Sequence, residues 1–249
     1  MKSKADWKPT GDMSLIHPYL PKDTSEQFHA FKEALRTIGG RTVAGAERFK
    51  VLDLGCGKGN SYEDFMRTGL AIDWLGLDIE DSPEARGSGD RHGRAHVYDG
   101  IHIPFKDATF DMVYSRQAFE HVLFPRELLR DVSRVLKNGG VFAGSCSALE
   151  PFHSRSVCNF TPYGFCILLG LAGFRGIHVR PGIDGLSLIA RRLLGFARIS
   201  MGSWFFVHES PLNLLLEATT RILGFETRRR AAIKLLFSGH FVFSAMKVS

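Results

Sequence analysis

The residues best suited to chemistry lie in a glycine-rich segment, Val51 to Asn60, with the sequence VLDLGCGKGN. A buried strand that ends in closely spaced glycines lets a ligand approach the backbone at the carboxyl edge of a sheet, just before a helix begins. The spacing is G-x-G-x-G and not the G-x-G-x-x-G of dinucleotide sites. Lys58 is followed by Gly59 and not by Ser or Thr, which disfavours a P-loop. The segment therefore predicts a site for a ligand that does not rest on its phosphates.

Three carboxylates end three successive strand candidates. Asp53, two residues before the first glycine, would repel a pyrophosphate but suits a ligand with ammonium and sulfonium charges. Asp78 could accept hydrogen bonds from both ribose hydroxyls of an adenosine, and Asp99 from an exocyclic amine such as adenine N6. The alternative is that each acid caps a tight turn. Their recurrence at three strand ends favours a ligand site.

Strand and helix patterns alternate along the chain, which predicts a parallel sheet with helices on both faces. Helical spacing predicts one helix over Ser25–Ile38, ended by Gly39-Gly40, and another over Arg126–Lys137, ended at Asn138-Gly139-Gly140. The strand candidates are Phe49–Leu54, Trp74–Ile79, His96–Tyr98, Phe110–Tyr114, Val141–Ser145, Gly176–Val179 and Phe241–Val248. The predicted fold class is α/β: a doubly wound, seven-stranded, mostly parallel, Rossmann-like sheet with a helical C-terminal cap insertion.

The predicted organisation has four parts. Residues 1–48 form an N-terminal helical lead-in, and residues 49–185 form the core with the glycine loop. Residues 186–239 are too long for a loop and are rich in Leu and Arg, which predicts an inserted helical cap. Residues 240–249 return as the last strand of the core sheet.

Composition narrows the functional classes. The chain has 249 residues, 44% of them hydrophobic, and a net charge of +6. From Arg175 onward there are 11 Lys/Arg against 4 Asp/Glu, so the basic surplus lies in the C-terminal third. The four cysteines show neither a CxxC pair nor zinc spacing, which predicts reduced thiols and no metal. No apolar secretory or membrane-spanning run is present, so we expect a cytoplasmic protein, with peripheral membrane contact through the basic cap.

The motifs and their order resemble the class I S-adenosylmethionine (SAM)-dependent methyltransferases, in particular the type 11 branch. VLDLGCGKGN is similar to the family's first motif and LGLDIE to its second. YDGIHIPFKDATFDMVYSRQAFEHV and LLRDVSRVLKNGGVF are similar to the rest of the core, so the resemblance covers roughly residues 49 to 148. It implies SAM as the cofactor, with the methionine part beside Asp53, Gly55, Gly57 and Gly59, the ribose on Asp78, and the adenine beside Asp99, Gly100 and Ile101. Cys56, Ile79 and Ser115 complete the expected cofactor site.

A further segment resembles methyltransferases found with polysaccharide-synthesis enzymes. It comprises Glu150-Pro151-Phe152-His153, Phe160 to Phe165 and Ala172-Gly173-Phe174. In those proteins an arginine commonly precedes the threonine, whereas Asn159 stands in this stretch here, which leaves the acceptor open. Residues 81–95 are too rich in glycine and charge for the helix that usually follows the second strand, and a loop is predicted there.

Methyl transfer from a sulfonium needs a base only when the acceptor is poorly acidic. The candidate catalytic residues are His121 and His153, which follow the fourth and fifth strands; alternatively, His121 caps a helix or fills a packing niche. We expect a methyltransferase for a small-molecule, sugar or lipid-linked acceptor. A noncatalytic SAM-binding subunit is the second hypothesis. A nucleic-acid methyltransferase is the third, because no Asn/Asp-Pro-Pro-Tyr motif or recognition module is visible.

Overall fold

The structure is a computed structural model that describes residues 13–39, 48–84, 93–150, 154–196 and 208–248. Its strands are β1 (Phe49–Leu54), β2 (Ile72–Ile79), β3 (Ala95–Tyr98), β4 (Phe110–Arg116), β5 (Leu136–Ser147), β6 (Phe174–Pro181) and β7 (His240–Lys247). The described α-helices are α1 (Ala30–Ile38), α2 (Asn60–Met66), α3 (Pro125–Val135), α4 (Pro162–Leu171), α5 (Gly185–Phe196), α6 (Pro211–Ile222) and α7 (Thr227–Leu236).

The strands form one seven-stranded sheet in the order β3-β2-β1-β4-β5-β7-β6. Strands β1 to β5 are parallel, whereas β7 pairs antiparallel with both β5 and β6. This confirms the predicted doubly wound, mostly parallel, Rossmann-like sheet. The strand order reverses between β1 and β4, and ligands of open α/β sheets bind at the carboxyl ends of the strands beside such a reversal. The glycine-rich segment directly follows β1 and so lies at this point.

Apolar side chains cover both faces of the sheet, which explains the nearly continuous hydrophobic runs of the central strands. In β1, Leu52 and Leu54 belong to one core cluster, and Val51 lies in the other. The first cluster includes side chains of α3, α4 and α7, and the second includes side chains of α1 and α2. Helices on both faces thus hold the strand ends that carry the predicted site residues.

The helix predicted over Ser25–Ile38 begins five residues later, at Ala30. Phe28 donates its N–H to the carbonyl of Pro181 over 2.8 Å, and Gln27 donates its N–H to a Glu209 carboxylate oxygen over 2.7 Å. These tertiary hydrogen bonds hold the preceding residues outside the helix. The His29 ring then caps the helix by accepting the N–H of Lys32.

The second predicted helix ends at Val135 as α3, because the next residue, Leu136, already pairs with Phe110 in the sheet. Gly139 does adopt a left-handed backbone, with φ of +74°, but it lies within β5 and not at the helix end. The strand predictions agree with β1 to β7 to within two residues at each end, except that β5 begins five residues earlier than predicted.

The predicted cap region contains α5, α6 and α7, which have different surroundings. Ala231, Ala232 and Leu235 of α7 pack into the same hydrophobic cluster as the sheet, whereas α5 borders the cleft described below. A separate cap unit over residues 186–239 stays a prediction. No helix in the described part of the chain combines the length and apolar character needed to cross a membrane. The loop predicted over residues 81–95 falls largely on residues 85–92, outside the described ranges.

Candidate cofactor and acceptor site

A cleft of about 1330 Å³ opens at the carboxyl ends of the strands. It brings together most of the predicted site residues: Asp53, Gly55, Cys56, Gly57, Asp78, Ile79, Asp99, Gly100, Ile101 and His121. Gly59 and Ser115 do not line it, and His153 lies outside the described residues. We call the part formed by the ends of β1, β2 and β3 the β1–β3 end. The opposite part, formed by the loop after β5, by β7 and by α5, is the β5–β7 end.

The glycine loop needs glycine for two different reasons. Gly55 has φ of +76°, and a Cβ there would lie 2.4 Å from the Cβ of Ala118. Gly57 has φ of +52°, and its N–H donates to Asp78 Oδ2 over 2.6 Å. Gly59 has φ of +70° and is the N-cap of α2. The first glycine lets the chain after β4 approach closely, and the second ties the loop to the end of β2.

Asp53 is a buried carboxylate at the floor of the cleft. The Ser61 hydroxyl donates to it, and Ser61 in turn accepts the Trp74 Nε1–H over 3.0 Å. Burial raises the pKa of Asp53 to about 7, although the Ser61 hydrogen bond and the charge of Arg116 lower it. A buried carboxylate with a raised pKa gains most from a cationic ligand, because such a ligand stabilises the ionised form.

Asp78 is the last residue but one of β2, and its two oxygens bond the glycine loop and the end of the strand. Oδ2 accepts the N–H of Gly57, and Oδ1 accepts the N–H of Ile79 over 2.8 Å. Burial raises the pKa of Asp78, and these two backbone hydrogen bonds act in the opposite direction. Because an ionised carboxylate offers about four acceptor positions, Asp78 keeps capacity for two ligand hydroxyls.

Asp99 caps its own turn. Its carboxylate accepts the N–H groups of Ile101 and His102 over 2.8 and 2.7 Å and contacts the His102 ring. These hydrogen bonds, with that of His102 first, lower the pKa of Asp99 to about 2. Asp99 therefore caps a tight turn, as the alternative interpretation of this acid predicts. An additional contact of Asp99 with adenine stays a prediction.

Ser115 requires a correction to the predicted cofactor set. Its hydroxyl is fully buried and donates to the carbonyl of Leu54 over 2.9 Å, so it fastens β4 to the end of β1 and is not on the cleft wall. Its neighbour Tyr114 does line the cleft. The Tyr114 hydroxyl is buried without a hydrogen-bond partner in the described part of the chain. A buried donor without a partner is unusual in native proteins and fits a site completed by a ligand.

Gln117, which the sequence did not single out, borders the same region. It has φ of +54°, a left-handed backbone that is uncommon outside glycine, Asn and Asp. Its Nε2 donates to the Ser145 hydroxyl over 3.2 Å, and its Oε1 is buried without a partner among the described residues. Strained backbone of this kind clusters at functional sites. A left-handed glutamine leaves no pattern in a single sequence.

The β5–β7 end carries an ionic cluster that the sequence does not predict. Glu150 contacts the His240 ring through one carboxylate oxygen and accepts from Arg192 Nη2 over 2.7 Å through the other. All three residues line the cleft. Glu120 is fully buried nearby, and burial raises its pKa to about 7, with a further increase from the charge of Glu150. His121 lies in the short 3-10 helix 119–121 and lines the cleft beside Ala118.

The geometry of the β1–β3 end fits SAM. Left-handed glycines bring backbone to the cleft wall, and Asp78 keeps acceptor capacity for a diol. Asp53 suits a cation, and the Tyr114 hydroxyl is a donor without a partner in the described ranges. Asp53, Gly55, Gly57 and Asp78 would hold this cofactor.

Comparisons with known proteins agree with this geometry. Residues 52–144 match a family model described as a methyltransferase domain. A ubiquinone biosynthesis O-methyltransferase of Rhizobium rhizogenes is 24% identical over 85% of this chain and 89% of its own length. A demethylmenaquinone methyltransferase of Thermobifida fusca is 36% identical, but the match covers 40% of this chain and 45% of that protein. The chain thus spans less than half the length of several curated relatives that it matches.

Among solved structures, a similar fold occurs in phosphoethanolamine N-methyltransferase 2 of Haemonchus contortus, determined in complex with SAM. The TM-score is 0.52 at 18% identity, and the match covers 87% of this chain and 53% of that one. At this identity the likeness concerns the fold. The family match identifies residues 52–144 as a methyltransferase domain, and the strand order, the fold likeness and the glycine–carboxylate geometry agree with the class I, SAM-dependent kind.

Proposed function

We propose that the protein transfers a methyl group from SAM to a small-molecule acceptor. One observation carries the proposal: Asp53 and Asp78 line the same cleft as the left-handed glycines 55 and 57. A buried carboxylate suits the cationic ammonium and sulfonium groups of SAM, and a carboxylate with free acceptor positions suits its ribose hydroxyls. When bound, SAM supplies an electrophilic methyl group on its sulfonium.

The chain's own residues position the two reactants and handle the acceptor proton. Asp53 offers a negative charge to the cationic part of the cofactor, and Asp78 fixes the adenosine by its ribose. The acceptor lies between the carboxyl ends of β4 and β5 and α5, where the cleft extends beyond the β1–β3 end. His121 lines that region, and His153 follows β5 in the sequence. Either imidazole could take the proton of a hydroxyl acceptor, because histidine is the side chain that most often acts as a general base.

Small-molecule acceptors are supported by the names of the relatives, which act in ubiquinone biosynthesis and on demethylmenaquinone. A sugar or a lipid-linked acceptor stays part of the proposal, motivated by the resemblance around Glu150 and Phe160.

The deciding experiment combines calorimetry of SAM and its demethylated product with a screen of metabolite extracts using methyl-labelled SAM. We expect binding of both and label transfer to a small molecule. Failure of the folded protein to bind either compound would refute the proposal. Binding without transfer would favour the noncatalytic alternative, and label in added nucleic acid would favour the third hypothesis.

We also propose a cytoplasmic location with peripheral membrane contact, which rests on the basic surplus of the C-terminal third. The arginines expected to make the contact, Arg228, Arg229 and Arg230, are partly engaged within the protein. Arg230 lies 3.3 Å from Glu217, and the Arg229 guanidinium lies 3.9 Å from the centre of the Phe225 ring. We therefore expect weak, salt-sensitive binding to vesicles containing anionic lipid. Undiminished binding after all three arginines are changed to glutamine would refute their role.

A further inference from the structure

We propose that the methyl acceptor carries an anionic group, a carboxylate or a phosphate, which is held by arginines at the β5–β7 end of the cleft. This inference rests on the proposed function and specifies its substrate class. Charged side chains are unevenly distributed along the cleft. Four acids, Asp53, Asp78, Glu84 and Asp99, and one lysine, Lys58, line the β1–β3 end. Three arginines, Arg155, Arg191 and Arg192, line the β5–β7 end. Arg116, at the end of β4, lies between the two and also lines the cleft.

The negative charge at the β5–β7 end is largely compensated. Among the described residues that line this end, Glu150 is the carboxylate, and it is engaged by both Arg192 and the His240 ring. Glu120 lies behind this wall, where burial raises the pKa of its carboxyl to about 7. The described lining residues of this end therefore include three arginines and one carboxylate, which is a net positive charge. A cleft lined by charge of one sign concentrates ligands of the opposite sign.

The orientation of α5 is a separate argument for a cationic wall. Leu188, Arg191, Arg192 and Gly195 line the cleft and have the spacing of one helix face. Leu186, Ile189 and Leu193, on another face, are 59%, 49% and 64% exposed. A helix packed on its own domain normally turns its apolar residues inward and its charges to solvent. Here two guanidinium groups occupy the cleft side while leucines are left outside, so packing alone does not account for the arrangement.

Guanidinium groups are suited to the proposed ligand. Their planar set of donors matches carboxylate and phosphate oxygens in two-point hydrogen bonds, which also fix orientation. An acceptor held by its acid group at α5 would place the rest of the molecule toward Gln117 and His121, between the arginines and the cofactor wall. The same arginines would disfavour cationic acceptors by charge repulsion.

The test uses the protein saturated with S-adenosylhomocysteine and measures binding of benzoate, inorganic phosphate and neutral benzamide at constant ionic strength. We expect saturable binding of at least one anion and at least tenfold weaker binding of benzamide. The anion that binds more tightly identifies the acid group. Arg191→Gln and Arg155→Gln should each weaken anion binding by about tenfold, because each removes a charge-assisted interaction. The corresponding lysine variants should recover part of the affinity.

Arg130→Gln is the matched control, because Arg130 is an exposed arginine of α3 that does not line the cleft. Its anion affinity should equal that of the unmodified protein. Absence of anion binding, equal binding of benzamide and benzoate, or unchanged anion affinity in both glutamine variants would overturn the inference. Because all variants are first checked for binding of S-adenosylhomocysteine, such a result would leave the proposed methyl transfer standing. Loss of that binding in the unmodified protein would instead refute the proposed function itself.

Discussion

The β1–β3 end of the cleft is built from one continuous part of the chain, residues 53–101, whereas the β5–β7 end is built from side chains that lie far apart in the sequence. At the β1–β3 end, residues between Asp53 and Ile101 supply left-handed glycines and carboxylates that bind neighbouring N–H groups. At the β5–β7 end, Glu150 meets Arg192, 42 positions away, and His240, 90 positions away. A ligand shared by a whole family can be bound by one continuous part of the chain, while side chains from distant segments can change with the acceptor. If the two ends are separable in this way, a change at one end should leave ligand binding at the other end intact.

The largest effect is expected from removing the base at the acceptor side. If the acceptor is a hydroxyl, His121→Ala or His153→Ala should lower turnover by roughly 10²–10⁴, while SAM affinity stays unchanged. His96→Ala, which removes an exposed imidazole outside the cleft, is the control. The measurement is single-turnover methyl transfer with the identified acceptor. Near-normal rates in both histidine variants would remove the base assignment.

A change confined to the glycine loop should damage the β1–β3 end and the fold together. Gly55→Ala combines a left-handed backbone with a Cβ placed 2.4 Å from that of Ala118. We expect a loss of about 2–5 kcal/mol in the free energy of unfolding, from backbone strain plus overpacking. Gly69→Ala has a similar φ, +71°, but open space around the new Cβ, and should lose only about 1–2 kcal/mol. Urea unfolding of the pair separates the two costs, and equal losses would show that the close approach at Gly55 is unimportant.

Asp78→Ala should weaken SAM binding by about tenfold or more, because each hydrogen bond to a charged acceptor contributes roughly 1.5–3 kcal/mol. Asp73→Ala is the matched control: Asp73 lies in the same strand, bonds Arg94 over 2.9 Å and does not line the cleft. Calorimetry that gives the same affinity for both folded variants would contradict the ribose assignment.

The smallest predicted effect concerns pH. The pKa of Asp53 is raised to about 7 in the free protein, and a cationic ligand prefers the ionised carboxylate. Affinity for SAM should therefore rise roughly fivefold to tenfold between pH 6 and pH 8 and then level off, since protons compete with the ligand below the pKa. Asp53→Asn cannot ionise and should bind weakly with a flat profile over this range. A pH-independent affinity in the unmodified protein would show that Asp53 does not face the cationic part of the ligand.

The β1–β3 end was largely predictable from the sequence because its determinants are local. The strand predicted over Phe49–Leu54 has the bounds of β1, and the glycines after it have the left-handed conformations that such a loop requires. The prediction that Ser115 belongs to the cofactor site was wrong, because its type and position do not reveal that its hydroxyl bonds the Leu54 carbonyl.

Neither the β5–β7 end nor the start of α1 is predictable from the sequence, because long-range contacts determine both. The residues before Ala30 are held extended by the carbonyl of Pro181 and the side chain of Glu209, far along the chain. In the same way, nothing near Glu150 indicates that His240 and Arg192 meet it. Long-range contacts override local pattern, and a single sequence does not display them.

The position of β7 has a consequence for how the molecule is made. This strand, the last in chain order, lies inside the sheet between β5 and β6, where it pairs with both. During synthesis from the N-terminus, the edges of β5 and β6 that pair with β7 stay without hydrogen-bond partners until residues 240–247 leave the ribosome. Open edges of hydrophobic strands are templates for pairing with other chains. A shortened chain that lacks these eight residues should therefore aggregate on expression, even though its cofactor-binding motifs are intact.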